Sequence, residues 1–271
     1  MAGLFIFTVA QLFAGRWQVN PVLLHWGPFT LRWYGLLIAT GLLVGYSLAE
    51  ATAPLYGISR DHIFNLLLIL TPVGLIGARL GFVIQNVPYY WQHPRQIIAT
   101  WEGGLSIHGV LAAGLLGVLV YAQMKRLSLA SLLDISLPAL LVGQAIGRWG
   151  NFLNQEVFGY PTNVPWKMYV PPQSRPLEYL NQSFFHPVFL YESIWNFGSA
   201  IFMLWYLRQP QARRGDGLPM YLVLYSLGRF WVEFFRIGVP YWANLTLAQW
   251  VSLLLMAAGG VALWWRHRQW A

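Results

Sequence analysis

Seven stretches of this 271-residue chain are apolar enough to cross a bilayer as helices, and they leave little else from which to build a fold. They lie near 31–49, 62–86, 105–122, 132–147, 188–207, 218–236 and 246–265. A hydrocarbon core of about 30 Å needs about 20 residues of helix. Lipid also offers no partner to an open backbone, so helices or closed barrels are the spanning forms. The fourth stretch is short and needs its flanks to complete a crossing. Charged residues make up 10% of the chain, too few for the surface of a soluble domain, where about 25% is usual. The predicted fold class is an all-α integral membrane protein of about seven transmembrane helices.

Three connections are short and basic: Lys125–Arg126, Arg208 with Arg213 and Arg214, and the tail Arg266–His267–Arg268. With seven spans they fall on one side together with Arg60. The excess of cations predicts that this side is cytoplasmic, with the N-terminus out and the C-terminus in. The formal charge of +8 is scattered among the spans. That distribution suits anionic lipid headgroups and makes no stripe for nucleic acid. Residues 1–15 are apolar with no basic residue before them, which fits an amphipathic segment on the membrane better than a cleaved signal peptide.

The chain has no cysteine. Disulfides, thiolate metal sites and a cysteine nucleophile of its own are thereby excluded. Residues 87–104 are aromatic and broken by proline, as expected of an arm in the headgroup layer. Residues 148–187 hold six prolines and no sustained apolar period, and are expected to form a small irregular outer head. The whole of 1–271 is read as one multi-pass membrane domain containing that head. No internal repeat is visible, which weighs against an inverted-repeat transporter.

Under this topology the intramembrane polar residues gather in one leaflet. Tyr34, Arg79, His108, Arg148, His186, Tyr191 and Glu192 lie near outer helix ends. Tyr225, Arg229, Glu233 and Arg236 occupy the outer half of the sixth span. Asp134 is the exception, near the inner end of the fourth span, where a capping role is expected. Tyr225, Arg229 and Glu233 are spaced i, i+4, i+8 and share a helix face, which Arg236 continues. Arg229 lies roughly 16 Å from the inner end of its span, too deep to snorkel inward. It needs an anion, either Glu233 or a ligand. Glu192 is expected to satisfy Arg79 or Arg148. Gly74, Gly77 and Gly81 suit close helix packing.

Residues 147–159 read Gly-Arg-Trp-Gly-Asn-Phe-Leu-Asn-Gln-Glu-Val-Phe-Gly. Arg148, Asn151, Asn154 and Glu156 thus crowd the end of an apolar segment, where polar groups cost several kcal/mol unless they are used. Guanidinium forks and amide donors in one leaflet suit a phospholipid phosphate. They could also stabilise a phosphate leaving group. His108 has the intrinsic pKa of a general base, and a thiol is an easy proton donor to it. No His-Glu-x-x-His, acidic cluster or Gly-x-Ser-x-Gly is present, so neither a metal site nor a serine hydrolase is indicated. The residues alone reach a multi-pass membrane protein that binds an anionic lipid in its outer leaflet. An enzyme, a non-catalytic lipid handler and an organic-anion transporter all stay open.

The run Gly-Arg-x-Gly-Asn-Phe-x-Asn-x-Glu-x-x-Gly at Gly147–Gly159 resembles the signature of the bacterial prolipoprotein diacylglyceryl transferases. Further blocks of that family stand in the same order: Trp33-Tyr34-Gly35, Gly77-Ala78-Arg79, Glu102-Gly103-Gly104 leading to His108-Gly109, His186-Pro187 leading to Tyr191-Glu192, and Tyr225 to Arg236. The resemblance covers about residues 30 to 265. It departs at Glu102, where Asp is expected, at Val110, and at Val188-Phe189. The outer head is also short.

The resemblance implies a reaction. The sn-1,2-diacylglyceryl group of phosphatidylglycerol would pass to the lipobox cysteine of a preprolipoprotein signal peptide, releasing glycerol 1-phosphate. It implies Arg148 and Arg229 as essential arginines on the phosphate. Tyr34, Arg79, Asn151, Asn154, Glu156, Gly159 and Tyr225 would complete the lipid site. His108 would be the base, Glu233 and Tyr225 would orient Arg229, and Glu102, Tyr191, Glu192 and Arg236 would support them. No cofactor or metal is implied. A monomer in the bacterial cytoplasmic membrane, with its site toward the outer leaflet, is expected.

Overall fold

The structure is a computed structural model, and it describes residues 20–26 and 29–268. The expected amphipathic segment at 1–15 lies outside the described residues. The chain enters through an antiparallel hairpin of β1 (Val22–Trp26) and β2 (Phe29–Arg32), an element the apolar pattern does not announce. From there the fold is mostly helical. The principal helices are α1 (Trp33–Thr52), α2 (Arg60–Gln85), α4 (Ile107–Lys125) and α5 (Leu129–Leu153), then α6 (Val188–Tyr206), α7 (Gly217–Val232) and α8 (Leu247–Arg268). A short α3 (Val87–Gln92) follows α2.

Each apolar stretch read from the sequence corresponds to one of the seven principal helices, within a few residues, apart from the fourth. That stretch is 25 residues long as α5, because it begins at Leu129 and continues through Gly147 to Leu153. Asp134 is consequently its sixth residue, fully buried, and not an N-terminal cap. Among the described residues, five helices, α1, α2, α4, α5 and α8, are long and apolar enough to cross a membrane. The 16 residues of α7 fall short of that length, though a 3-10 turn at Glu233–Phe235 extends it. The α6 sequence holds two Trp, two Tyr, two Ser and Asn196, and carries Glu192. Large apolar side chains such as Leu43, Ile76, Leu116, Phe197 and Leu254 are exposed on these helices. That is costly in water and expected in lipid.

The chain divides into two compact units. One comprises Tyr46–Ile135, and the other the residues up to Gly45 and from Ser136 onward. In the Tyr46–Ile135 unit, α2 and α4 pack closely. A side chain on Gly77 would overlap Gly109 and Ala113, and one on Gly81 would press on Gly109. Ser106 fixes the start of α4 by donating its amide to the Ala78 carbonyl, 2.9 Å away, and accepting from Gln85 Nε2 at 2.8 Å.

In the larger unit, α1 meets α5 where Gly41 touches Gly143 and Gly45 touches Ala139. The segment after α5 is less irregular than its prolines suggest. Met168–Tyr169 (β3) pairs with Phe184–Phe185 (β4). Met168, Val170, Phe185 and Phe189 form a fully buried core beneath this pair. Phe152 and Phe158 pack against that core, so the apolar residues of the signature anchor the turn that carries its polar ones. A last hairpin, Tyr241–Trp242 (β5) with Leu245–Thr246 (β6), delivers the chain to α8.

Candidate active site

The larger unit collects ionisable residues from three helices at one end. Arg148 lies in the last turns of α5, Glu192 in the second turn of α6, Arg229 near the end of α7, and Glu233 and Arg236 just beyond it. Glu192 is 6% exposed and receives two cations. Its Oε2 lies 2.5 Å from Arg148 Nη2, and its Oε1 lies 3.5 Å from Arg229 Nη1. Arg229 Nη2 also meets Glu233 Oε2 at 2.7 Å, and Arg236 Nη1 approaches the same oxygen at 3.6 Å. The result is an alternating chain, Arg148–Glu192–Arg229–Glu233–Arg236. Three guanidiniums face two carboxylates, an excess of one positive charge. Arg229 Nη1 and the Glu192 Oε1 it faces are both buried outside hydrogen-bonding geometry, as is Glu233 Oε2. Buried polar groups paired this loosely are costly unless a ligand completes them.

The signature run builds a cage beside this chain. Its helix ends at Leu153, and the turn that follows is closed by its own side chains. Asn151 Nδ2 and Asn154 Nδ2 both donate to Glu156 Oε1, at 3.0 and 3.2 Å. The Glu156 amide returns to the Asn151 carbonyl at 2.9 Å, and Arg148 Nη1 reaches Asn151 Oδ1 at 3.5 Å. The turn is strained: Gln155 and Val157 both hold positive φ, 55° and 56°. A β-branched residue there costs of order 1–3 kcal/mol and persists only where its surroundings impose it.

Gly159 closes the run by bridging Arg236. Its amide donates to the His186 carbonyl at 2.9 Å, and a side chain there would overlap the Phe235 carbonyl. Tyr34 lies with its ring against Gly150, where a side chain would also overlap. Tyr225 stacks on Tyr221, ring centroids 5.5 Å apart, and Tyr221 in turn accepts from Gln144 Nε2 at 3.0 Å. The ion partners of Arg229 are Glu233 and Glu192, and Tyr225 on the same helix stacks its ring on Tyr221.

A second aromatic set flanks Glu192. Trp166 Nε1 donates to the Tyr191 hydroxyl at 3.0 Å, and that hydroxyl lies 2.9 Å from His186 Nδ1. Burial lowers the pKa of His186, which keeps it neutral at pH 7 and able to accept that proton. From Tyr191 a groove of about 440 Å3 continues along α6, lined by Ile194, Trp195, Gly198 and Phe202 together with Leu224 and Trp231 of α7. It is almost wholly apolar and begins one residue from Glu192.

Three expected site residues belong to the Tyr46–Ile135 unit. Arg79, expected on the phosphate, has its guanidinium spent on backbone. It donates to the carbonyls of Gln96, Ile97, Gly103 and Gly104 at 2.5, 2.8, 2.7 and 3.0 Å, and lies over the Tyr90 ring. Four of its five donors are thereby taken, so Arg79 pins the arm that follows α2 and offers no free fork to a ligand. Glu102 closes a 3-10 turn that leads into Gly103 and Gly104 at positive φ. His108 is exposed in the first turn of α4. Thr246 and Gln249, which also reach the ion chain, went unread in the sequence. A Thr-x-x-Gln at a helix start carries only a capping signal.

The family model described as prolipoprotein diacylglyceryl transferase matches residues 21–265. Proteins named phosphatidylglycerol–prolipoprotein diacylglyceryl transferase are similar over nearly their full length. One from Synechocystis is 42% identical over 265 residues, 96% of this chain and 94% of the relative. One from Thermosynechococcus vestitus is 42% identical over 241 residues, 89% and 90% of the two chains. One from Nostoc is 43% identical over 253 residues, 92% and 89% of the two.

Proposed function

The chain belongs to the prolipoprotein diacylglyceryl transferase family, and from that membership we propose that it transfers the sn-1,2-diacylglyceryl group of phosphatidylglycerol to the lipobox cysteine of a preprolipoprotein signal peptide. In this reaction the substrate thiol attacks the glyceryl carbon that carries the phosphate. A C–S bond forms, the C–O bond breaks, and glycerol 1-phosphate leaves with the electron pair. The thiol proton passes to a base, for which the family resemblance points to His108, with activation by the arginines themselves as the alternative. Both reacting partners come from outside the chain, in keeping with the absence of cysteine from it.

The observation that carries this reading is the ion chain from Arg148 to Arg236, with its single excess positive charge and its loose Arg229–Glu192 contact. An anionic phosphodiester supplies the missing negative charge. As the C–O bond breaks, charge builds on the phosphate, and fixed guanidiniums stabilise that transition state more than the ground state. In this reading Arg148 and Arg229 hold the phosphate, with Arg236 adding charge. Asn151, Asn154 and Glu156 shape the glycerol side. Gly159, Tyr34 and Tyr225 keep the walls close.

The protein is read as a monomer of the bacterial cytoplasmic membrane, with seven spans, N-terminus out and C-terminus in. The ion chain then faces the outer leaflet, where a signal peptide emerges. Purified protein in micelles, given phosphatidylglycerol and a lipobox peptide, should yield a peptide heavier by one diacylglyceryl group and an equal amount of glycerol phosphate. A peptide whose cysteine is replaced by serine should yield neither. No lipidated product by mass spectrometry would sink the proposal.

A further inference from the structure

Glu233 is 2% exposed, and its two oxygens have different partners. Oε2 faces Arg229 and Arg236. Oε1 accepts the hydroxyl of Thr246, which lies on β6 just before α8, at 3.1 Å. Thr246 is 2% exposed and Gln249 is fully buried. The Thr246 amide donates to Gln249 Oε1 at 2.9 Å, and the Gln249 amide donates to Thr246 Oγ1 at 3.2 Å. This is a reciprocal capping box at the start of α8. Gln249 Nε2 also donates to the Phe230 carbonyl at 3.3 Å, next in sequence to Arg229.

In an ordinary capping box the hydroxyl accepts from the helix, and its own proton is free for solvent. Here that proton is committed to a buried carboxylate. The orientation of the hydroxyl is held by the helix amide it caps. That hydrogen bond restrains rotation of the Glu233 carboxyl, whose other oxygen lies 2.7 Å from Arg229 Nη2. A carboxylate free to turn would let the Arg229 guanidinium follow it, and a misplacement of about 1 Å in a catalytic group costs about 10²-fold in rate.

We propose that Thr246, oriented by Gln249, is a positioning residue that acts through Glu233 on Arg229. The inference rests on the transferase reading and on Arg229 holding the phosphate. Its test separates capping from positioning, because glycine caps a helix nearly as well as threonine but has no hydroxyl. In the micelle assay, Thr246→Gly should lower kcat about tenfold and leave KM for phosphatidylglycerol within about twofold. Its thermal unfolding temperature should stay close to that of the parent. Thr246→Ser, which restores the hydroxyl, should match the parent in both. In a Glu233→Gln background, Thr246→Gly should lower kcat by less than about twofold more, since both changes break one linkage.

Unchanged kcat in Thr246→Gly, or an equal loss in both backgrounds, would overturn the inference. Should Thr246→Gly not fold, Thr246→Ala, which lacks any donor and keeps the backbone stiffer than glycine does, carries the same expectation for kcat. A parent protein with no transfer activity would overturn the transferase reading and this inference with it. An active parent in which Glu233→Gln is silent would overturn the linkage while leaving the transferase reading standing.

Discussion

Glu192 and Glu233 together hold three arginines, and the two carboxylates differ in how readable they are. Arg229 with Glu233 is an i, i+4 pair on one helix, so spacing alone finds it. Glu192 comes from another helix and reaches both Arg148 and Arg229. No spacing rule links residues 37 positions apart, and the sequence reading assigned Glu192 to Arg79 or Arg148. Removing one member of a buried ion network leaves the others unpaired, at about 3–5 kcal/mol. Glu192→Ala should therefore lower the thermal unfolding temperature in detergent sharply, more than Glu156→Ala, whose carboxylate is exposed. A different experiment separates the arginines. Arg229→Lys keeps the charge but loses the planar fork, and its transfer rate should fall about 100-fold with the fold intact. Arg79→Lys loses most of four hydrogen bonds to the arm, so its main effect should be a lower unfolding temperature. Equal rate losses in the two variants would restore Arg79 to the phosphate. Its acceptors are backbone carbonyls, which leave no mark in a side-chain pattern.

At the scale of elements, the helices were legible because a bilayer demands long apolar runs, and such runs survive without knowledge of packing. What the runs could not show is how a helix ends. The apolar pattern of α5 stops near Gly147, yet the helix carries on to Leu153 because Phe152 still packs against the core under β3 and β4. The first half of the signature is thus helical and the second half is a strained turn. The hairpin at 22–32 escaped notice for the related reason that an apolar strand beside an apolar helix reads as more of the same. Gly159 sits where this turn meets the Phe235 carbonyl, so Gly159→Ala should break the bridge to Arg236 and abolish transfer even if the helices persist by circular dichroism. Gly198 is the opposite case. A side chain there meets nothing within 4 Å, so Gly198→Leu should fold normally while filling the apolar groove that starts at Tyr191. If that groove takes an acyl tail of the lipid whose phosphate the arginines hold, the variant will favour shorter-chain phosphatidylglycerol. An unaltered chain-length preference in competition assays would remove the groove from the lipid path.

The larger unit as a whole places α7 against α8 as an antiparallel pair tied at both ends, and the two ties differ in chemistry. At the signature end, Glu233, Thr246 and Gln249 join the helices through the site itself. At the opposite end, Asp216 is fully buried just before α7. It accepts the Arg213 amide at 2.8 Å, Arg266 Nε at 3.0 Å and His267 Nε2 at 3.0 Å, the last two from the end of α8. Arg213 also donates to the Arg266 carbonyl, and Arg266 Nη2 to the Arg214 carbonyl. These basic residues were read from the sequence only as topology markers, because a single Asp among them looks like a diluting charge. Burial alone would raise the Asp216 pKa. The hydrogen bonds from Arg213, Arg266 and His267 outweigh it and hold the carboxyl below its ordinary value of 3.8. The unfolded chain binds this proton more readily, so the tie contributes its full stability above the unfolded pKa. That contribution is lost as pH falls through the lower folded value. Asp216→Asn should accordingly unfold at a lower temperature than the parent at pH 7, and the gap should close as pH falls below about 4. Transfer activity at pH 7 and moderate temperature should be largely kept, because the other tie holds the site. A gap that stays constant down to pH 3 would show that Asp216 serves through its shape and not through its charge.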